Sequence, residues 1–201
     1  MNKNSLKNIA KEVINLEIEA LKILKKSVNK NFDKAVNAIV NCQSKIILCG
    51  VGKSGLIAAK IASTLSSVGS PAFSLSANDC LHGDLGSITK KDVLVLISNS
   101  GRSEEIIPIV KFANKNKIKL IGIVSKKNSF LYKGSNIKIL LPDVRESGLG
   151  VVPTSSTSIQ LAIGDALAVA ALKKKQFSRY DFSRLHPGGS LGKQLKTVGD
   201  I

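Results

Sequence analysis

The spacing of apolar residues divides the chain into a helical amino-terminal part and a longer alternating part. From residue 5 to residue 29, apolar side chains recur at steps of three, four or seven, which predicts an amphipathic helix. A second helix is expected from Phe32 to Asn41. Residues 1–41 are therefore predicted to form an N-terminal helical arm.

From Lys45 onward, short apolar runs alternate with segments of helical periodicity. The predicted strands cover residues 45–49, 72–75, 93–97, 119–124 and 137–141. The predicted helices cover residues 54–68, 103–116 and 157–174. Strands that alternate with helices form a parallel sheet covered on both faces. We therefore predict an α/β fold, a three-layer αβα sandwich with a five-stranded parallel sheet.

The composition supports one ordinary domain with an aliphatic core. The 201 residues are 43% hydrophobic but only 4% aromatic, and Trp is absent. The formal net charge of +16 could indicate a nucleic-acid partner, but the lysines are spread along the chain, and their longest run is residues 173–175. Because Arg occurs at only four positions, we interpret the charge as a solvated surface and expect no nucleic-acid partner.

The cysteines and the amino terminus indicate the cellular compartment. Cys42, Cys49 and Cys80 are odd in number and lack the spacing of a metal site, so neither a disulfide framework nor a zinc site is expected. The first twelve residues contain no apolar export segment, and we expect no membrane span of about 18 apolar residues. These features predict a cytoplasmic protein.

The loop after the predicted strand 93–97 is rich in hydroxyl groups. In a parallel sheet, ligands bind beyond the carboxyl ends of the strands. Three serines can donate hydrogen bonds there, the glycine allows close approach of the backbone, and a helix beginning near Ser103 would direct free N–H groups to the same point. The loop is therefore predicted to bind phosphate. Its candidate residues are Ser98, Asn99, Ser100, Gly101 and Ser103.

Two further loops carry candidate ligand contacts. The segment Gly50–Gly55 has the glycine spacing of a dinucleotide fingerprint, but the acidic residue about 20 positions later is missing, and Ile47 stands where a P-loop needs glycine. We predict a tight turn that presents Gly52, Lys53 and Ser54 to a ligand. A hydroxyl cluster before the last long helix is predicted to contact phosphate or sugar. It comprises Thr154, Ser155, Ser156 and Thr157.

The candidate acids and bases are histidines and carboxylates in loops. His82 and His186 are the only histidines, and both lie in glycine-flanked loops rather than in apolar segments. Glu105 and Glu146 lie near predicted strand ends, where a general base could act. Glu104 can instead be a first-turn charge that the helix dipole favours.

Six sequence blocks, in order, resemble the sugar isomerase (SIS) domain family and, within it, the arabinose 5-phosphate isomerases. The blocks are Gly50–Gly55, His82–Gly86, Ser98–Gly101, Pro153–Thr157, Gly164–Ala168 and His186–Gly192. The resemblance implies a flavodoxin-like SIS fold, with residues 1–201 as one domain and residues 177–201 as an active-site tail. Many members of the family continue into a pair of cystathionine-β-synthase-type domains beyond the point where this sequence ends.

The resemblance also implies an activity, the reversible conversion of D-arabinose 5-phosphate and D-ribulose 5-phosphate in the synthesis of a lipopolysaccharide sugar. It implies no cofactor and no metal. Catalytic roles carry over to Lys53, Glu105, Glu146 and His186, with His82 as a further active-site histidine. Relatives form homotetramers, in which the later histidine can reach a neighbouring subunit's site.

Several alternatives remain open from the sequence. Glu146 or His186 can move the carbon proton, and the Glu146 loop is one residue shorter than is common among relatives. The same fold also serves regulators that bind phosphosugars without converting them, and isomerases of other substrates such as hexulose phosphates. The histidines and carboxylates favour an enzyme, because binding alone needs no base.

Overall fold

The computed structural model describes residues 5–188, which form a parallel sheet between two layers of helices. The strands are β1 (Ile46–Gly50), β2 (Ala72–Ser76), β3 (Val93–Ser98), β4 (Lys119–Val124) and β5 (Ile137–Leu140). All pairings are parallel, and the order across the sheet is β2-β1-β3-β4-β5. This confirms the predicted α/β architecture with five parallel strands.

The helices of the described chain cover both faces of the sheet. They are α1 (Leu6–Ser27), α2 (Lys30–Val40), α3 (Lys53–Ser67), α4 (Ala77–Cys80), α5 (Ile106–Lys115), α6 (Phe130–Gly134), α7 (Ser155–Lys174) and α8 (Arg179–Leu185). One buried cluster joins α1, α2, α3 and α7 to the sheet, and a second joins α4, α5 and α6 to the opposite face. The arrangement is a three-layer αβα sandwich.

Strands β1 and β3 explain why the sequence contains such clear apolar runs. Every residue of both strands is buried. Along β1, Ile46 and Leu48 face the first cluster, whereas Ile47 and Cys49 face the second. A strand buried on both faces needs apolar residues at every position, so the alternation typical of a half-exposed strand is absent.

Helix α7 is apolar enough, by length and composition alone, to cross a membrane, with a mean hydropathy of 1.3 over its most apolar window. That finding departs from the expectation of no such span. However, half of the window is buried inside the protein, and the helix packs against α1, α2 and α3. A core helix enclosed by other helices gives the same composition, so the membrane evidence is weak.

Some boundaries differ from the sequence predictions. Helix α5 begins at Ile106 rather than near Ser103, because residues 104–105 form a turn in which the Ile106 N–H donates to the Ser103 carbonyl. Helix α6 was not predicted, since one turn is too short to show a period. Helix α8 was also missed, although Ser178 and Asp181 form a capping box that marks its start.

Candidate active site

A cavity of about 450 Å³ opens at the carboxyl edge of the sheet, beyond the ends of β1 and β3. It lies where the chain leaves β1 on one side and β3 on the other, so the strand order reverses there, as expected for a ligand site. Its lining residues are Val51, Lys53, Ser54, Asn99, Glu146, Gly150, Val151, Pro153, Ser156, Thr157 and Gln160.

The turn from β1 into α3 brings Lys53 to this cavity. A Cβ on Gly55 would lie 2.8 Å from the carbonyl oxygen of Gly50, so strand and helix meet too closely for a side chain. Gly52 caps the helix with φ +57°, a conformation that favours glycine. Lys53 is the first residue of α3, where a positive charge opposes the helix dipole. Its position therefore suits ligand binding better than helix stability.

The serine loop after β3 is held in shape by its own hydroxyls. The buried Ser98 Oγ accepts a hydrogen bond from the Gly101 N–H at 3.0 Å, and Ser100 Oγ accepts one from the Arg102 N–H at 3.3 Å. Asn99 is the residue of this loop that lines the cavity, and its Oδ1 accepts from Ser125 Oγ at 2.6 Å. That bond turns the amide N–H groups of Asn99 away from Ser125.

Glu146 caps the amino terminus of α7. Its Oε2 accepts hydrogen bonds from the backbone N–H of Thr154 at 2.9 Å, from the Thr154 hydroxyl at 3.3 Å and from the Ser156 N–H at 3.3 Å. Thr154 Oγ1 in turn accepts from the Ser147 N–H at 3.1 Å. A carboxylate therefore occupies the helix end at which the sequence predicted phosphate contacts, and a phosphate there would meet like charge.

The ionisation of Glu146 follows from these contacts. Partial burial raises the pKa of the Glu146 carboxyl, but hydrogen bonds from the Ser156 hydroxyl and from the N–H groups of Thr154 and Ser156 outweigh it. The net effect holds the pKa of Glu146 below its ordinary value. The side chain is therefore a carboxylate at neutral pH, oriented by α7.

Two buried hydroxyls belong to Ser147 and Ser155, which follow Glu146 and its partner Thr154 in the sequence. Among the side chains of residues 5–188, Ser147 Oγ and Ser155 Oγ are the buried polar atoms without a hydrogen-bond partner. Leaving a buried hydroxyl unpaired costs about 1–3 kcal/mol. Both residues flank the Glu146–Thr154 contact, so the stability cost is concentrated at the site.

Sequence reasoning missed Gln160. Its side chain is 1% exposed, lines the cavity, and accepts a hydrogen bond at Oε1 from Ser54 Oγ at 3.1 Å. A polar residue between the apolar Ile159 and Leu161, one turn after Ser156, was the available signal. The bond joins the first turn of α3 to the second turn of α7 across the floor of the cavity.

The cavity brings together about a third of the predicted site residues. Those that line it are Lys53, Ser54, Asn99, Glu146, Ser156 and Thr157. Predicted binding residues outside the lining are Gly52, Ser98, Ser100, Gly101, Ser103, Thr154 and Ser155. Three predicted catalytic residues also lie outside it, namely the exposed His82, the half-buried Glu105 at the start of α5, and His186.

His186 lies outside the cavity of its own protomer, in the segment that follows the carboxyl end of α7. Helix α7 runs for about 30 Å from the site, and just after it the Lys175 Nζ donates to the Gly69 carbonyl at the opposite edge of the sheet. From Phe177, which packs on Gly69, the chain to His186 includes the seven-residue α8 and covers at most about 20 Å. The imidazole stacks on Phe182, and its Nδ1 lies 2.8 Å from the Phe182 carbonyl oxygen.

Comparison with known proteins identifies the class. The SIS domain family matches residues 39–170, and the chain belongs to this family. Within residues 5–188 no group of three or more His, Cys, Asp or Glu side chains is arranged to hold a metal ion.

Individual relatives are more specific. The chain is 42% identical over 186 residues to the arabinose 5-phosphate isomerase KdsD of Yersinia pestis, covering 92% of this chain and 57% of the relative. It is 45% identical over 192 residues to the Francisella tularensis KdsD, covering 94% of this chain and 59% of the relative. It thus spans less than two thirds of the length of either relative.

A solved structure matches over its whole length. A protein of E. coli CFT073, determined in complex with arabinose 5-phosphate, superposes with a TM-score of 0.88 at 35% sequence identity, and the match covers 93% of this chain and 100% of that one. The sheet and the flanking helices are therefore shared with a protein that binds this phosphosugar.

Proposed function

We propose that the protein is an aldose-ketose isomerase that interconverts D-arabinose 5-phosphate and D-ribulose 5-phosphate. The observation that carries this proposal is that Lys53 and the ionised Glu146 line the same cavity at the carboxyl edge of the sheet. The names of the relatives support the substrate, and so does the arabinose 5-phosphate bound in the matched structure.

The reaction requires two proton movements. A base removes the proton from C2 of the open-chain aldose while O1 gains a proton, which gives a cis-enediol. Return of a proton to C1 and loss of one from O2 give the ketose. Lys53 is proposed to stabilise the negative charge that develops on the oxygen, since its side chain lines the cavity.

Glu146 and His186 remain the two candidates for the carbon base. The carboxylate is held in place through Oε2, so Oε1 is the oxygen proposed to take the proton. Its lowered pKa keeps it ionised but makes it a weak base. His186 is proposed to act from another subunit, because it does not line the cavity of its own protomer. Glu105 is proposed to orient a histidine or a substrate hydroxyl.

The phosphate is proposed to bind at the serine loop. Ser98, Ser100 and Ser103 belong to this loop, and Asn99 extends from it into the cavity. The hydroxyl cluster at α7 is proposed to contact the sugar instead, because Glu146 already places a negative charge at that helix end.

A homotetramer with shared sites is proposed as the active unit. The absence of His186 from the lining of its own cavity supports sharing, and His82 would then complete a site from an exposed loop. The proposed setting is the cytoplasm, with the product feeding lipopolysaccharide sugar synthesis. The domain is proposed to span residues 1–201, with residues 1–41 as N-terminal helices and 177–201 as an active-site tail, of which residues 189–201 lie outside the described part.

One assay tests the activity. The purified protein is incubated with ribulose 5-phosphate in D₂O, and the product is identified by NMR. Formation of arabinose 5-phosphate with deuterium at C2 is the expected result. Formation of a different phosphosugar would contradict the substrate assignment, and binding without any conversion would identify a phosphosugar sensor instead.

A further inference from the structure

The side chain of Gln160 can offer its amide N–H groups as hydrogen-bond donors to a ligand in the cavity. Its Oε1 accepts the hydroxyl proton of Ser54 at 3.1 Å, so the oxygen end of the amide faces α3. In the part of the chain that the structure describes, Nε2 is not among the buried atoms without a partner, and the hydrogen bond of this side chain is made at Oε1. Because Gln160 lines the cavity and its Oε1 faces Ser54, the amide nitrogen is the end of the side chain left to meet a ligand there, although the residue is only 1% exposed.

The charges around Gln160 select which part of a ligand it can meet. Ser156, whose N–H donates to Glu146, and Gln160 are four residues apart, so they lie on the same face of α7. A phosphate dianion held by the amide would therefore lie close to an ionised carboxylate, which is electrostatically unfavourable. A neutral hydroxyl or carbonyl oxygen has no such cost.

We infer that the amide nitrogen of Gln160 donates hydrogen bonds to an oxygen of the sugar chain, not to the phosphate, and that the Ser54 hydroxyl fixes the amide for this contact. The inference rests on the proposed function for the identity of the sugar. It makes Gln160 a residue that selects substrates by the hydroxyl pattern of the sugar.

The test uses two probes that cannot react. D-arabinitol 5-phosphate has the sugar hydroxyls and the phosphate but no carbonyl, and inorganic phosphate has only the anion. Their dissociation constants are measured by titration calorimetry for the wild-type protein, Gln160→Leu and Gln160→Glu. The matched controls are Gln43→Leu and Gln43→Glu, because Gln43 is exposed at the opposite edge of the sheet.

Loss of a buried donor to the sugar predicts a dissociation constant for arabinitol 5-phosphate that rises about 10- to 100-fold in both Gln160 variants. Affinity for inorganic phosphate should be unchanged in Gln160→Leu. The added carboxylate of Gln160→Glu repels both anionic probes, so its effect is the loss of affinity for arabinitol 5-phosphate beyond the loss for phosphate. Gln160→Glu is decisive, because it keeps the shape and the acceptor for Ser54 but removes the N–H donors. It also carries the test if Gln160→Leu fails to fold.

Three results would overturn the inference. Wild-type affinity in Gln160→Glu would mean that only the contact with Ser54 matters. Equal loss of affinity for both probes, with a lower unfolding temperature, would show a structural role. Failure of the wild-type protein to bind arabinitol 5-phosphate would show that the proposed contact with the sugar is not made. Wild-type binding without isomerase activity would refute only the proposed function and leave this inference standing.

Discussion

Glu146 Oε2 accepts a hydrogen bond from the backbone N–H of Thr154 at 2.9 Å, and this contact ties the loop after β5 to the amino terminus of α7. Thr154 is the N-cap residue of α7, yet its own side chain does not cap the helix. The carboxylate therefore serves as the cap, and the same side chain lines the cavity. Helix stability and site geometry depend on one residue.

Replacing this carboxylate should lower both stability and activity. Glu146→Gln loses the negative charge at the helix end, so we expect a loss of about 1 kcal/mol in unfolding free energy at pH 7, with reduced kcat. Because the folded-state pKa is below the ordinary value of 4.5, the advantage of wild type is present above that pH and disappears as the pH falls through the folded-state pKa. Urea unfolding from pH 7 to pH 3 measures it, with Glu17→Gln as the control.

An equal difference in unfolding free energy between wild type and Glu146→Gln at every pH would contradict the capping role. Full activity of the variant would contradict the catalytic one.

Asp92 lies at the edge of the sheet where the strands begin. It is expected to make the largest single electrostatic contribution to folding stability there. Its side chain is fully buried and binds the Lys45 Nζ at 3.0 Å and the Thr89 N–H at 2.6 Å. Burial raises the pKa of Asp92, but hydrogen bonds from Thr89, Ser44 and Lys45 outweigh it and lower the pKa to about 2.

Asp92→Asn should therefore destabilise the protein by about 3 kcal/mol at pH 7, because Lys45 loses its partner. The depressed pKa means that the stabilisation is complete above pH 3.8 and is lost as the pH falls toward 2. Chemical denaturation checks this. The control is Asp143→Asn, whose pair with Lys126 is exposed and should contribute less than about 1 kcal/mol. Equal effects of the two substitutions would refute the assignment.

Ser155→Ala should leave stability unchanged or raise it by up to about 1 kcal/mol, unlike most buried substitutions. The hydroxyl of Ser155 is buried without a hydrogen-bond partner, so removing it ends an uncompensated desolvation cost. Thermal unfolding measures the change. The comparison is Ser135→Ala, because Ser135 Oγ donates to the Leu131 carbonyl at 2.6 Å and its loss should cost about 1 kcal/mol. A clear loss of stability in Ser155→Ala would disprove the expectation.

A shared site predicts complementation between inactive variants. Lys53→Ala and His186→Ala should each lower turnover strongly while leaving folding intact, because Lys53 is exposed and His186 is only half-buried. If His186 acts in a neighbouring subunit, mixed assemblies of the two variants contain some sites with both residues. Refolding the two together should then restore part of the activity, measured as ribulose 5-phosphate formed.

No recovery, in assemblies shown to be mixed, would place His186 outside the catalytic machinery or confine each site to one chain. The control refolds Lys53→Ala alone under the same conditions, and this sample must stay inactive.

The sheet could be predicted from the sequence because its signals are local. Strands β1 and β3 are apolar at every position, and only a strand covered on both faces needs that pattern. The start of α5 was misplaced by three residues, since the turn before Ile106 is set by a carbonyl contact to Ser103 that leaves no trace in periodicity.

The chain by itself determined the layered α/β architecture and the edge of the sheet at which its unusual loops meet, because strand burial and parallel order follow from local apolar runs. Only the tertiary structure decided that Glu146 occupies the end of α7, that Gln160 joins Ser54 at the cavity, and that His186 is outside the cavity lining of its own protomer. Ser54 and Gln160 are 106 residues apart. Such contacts depend on how helices of given length pack on the sheet, and periodicity along the chain carries no record of that.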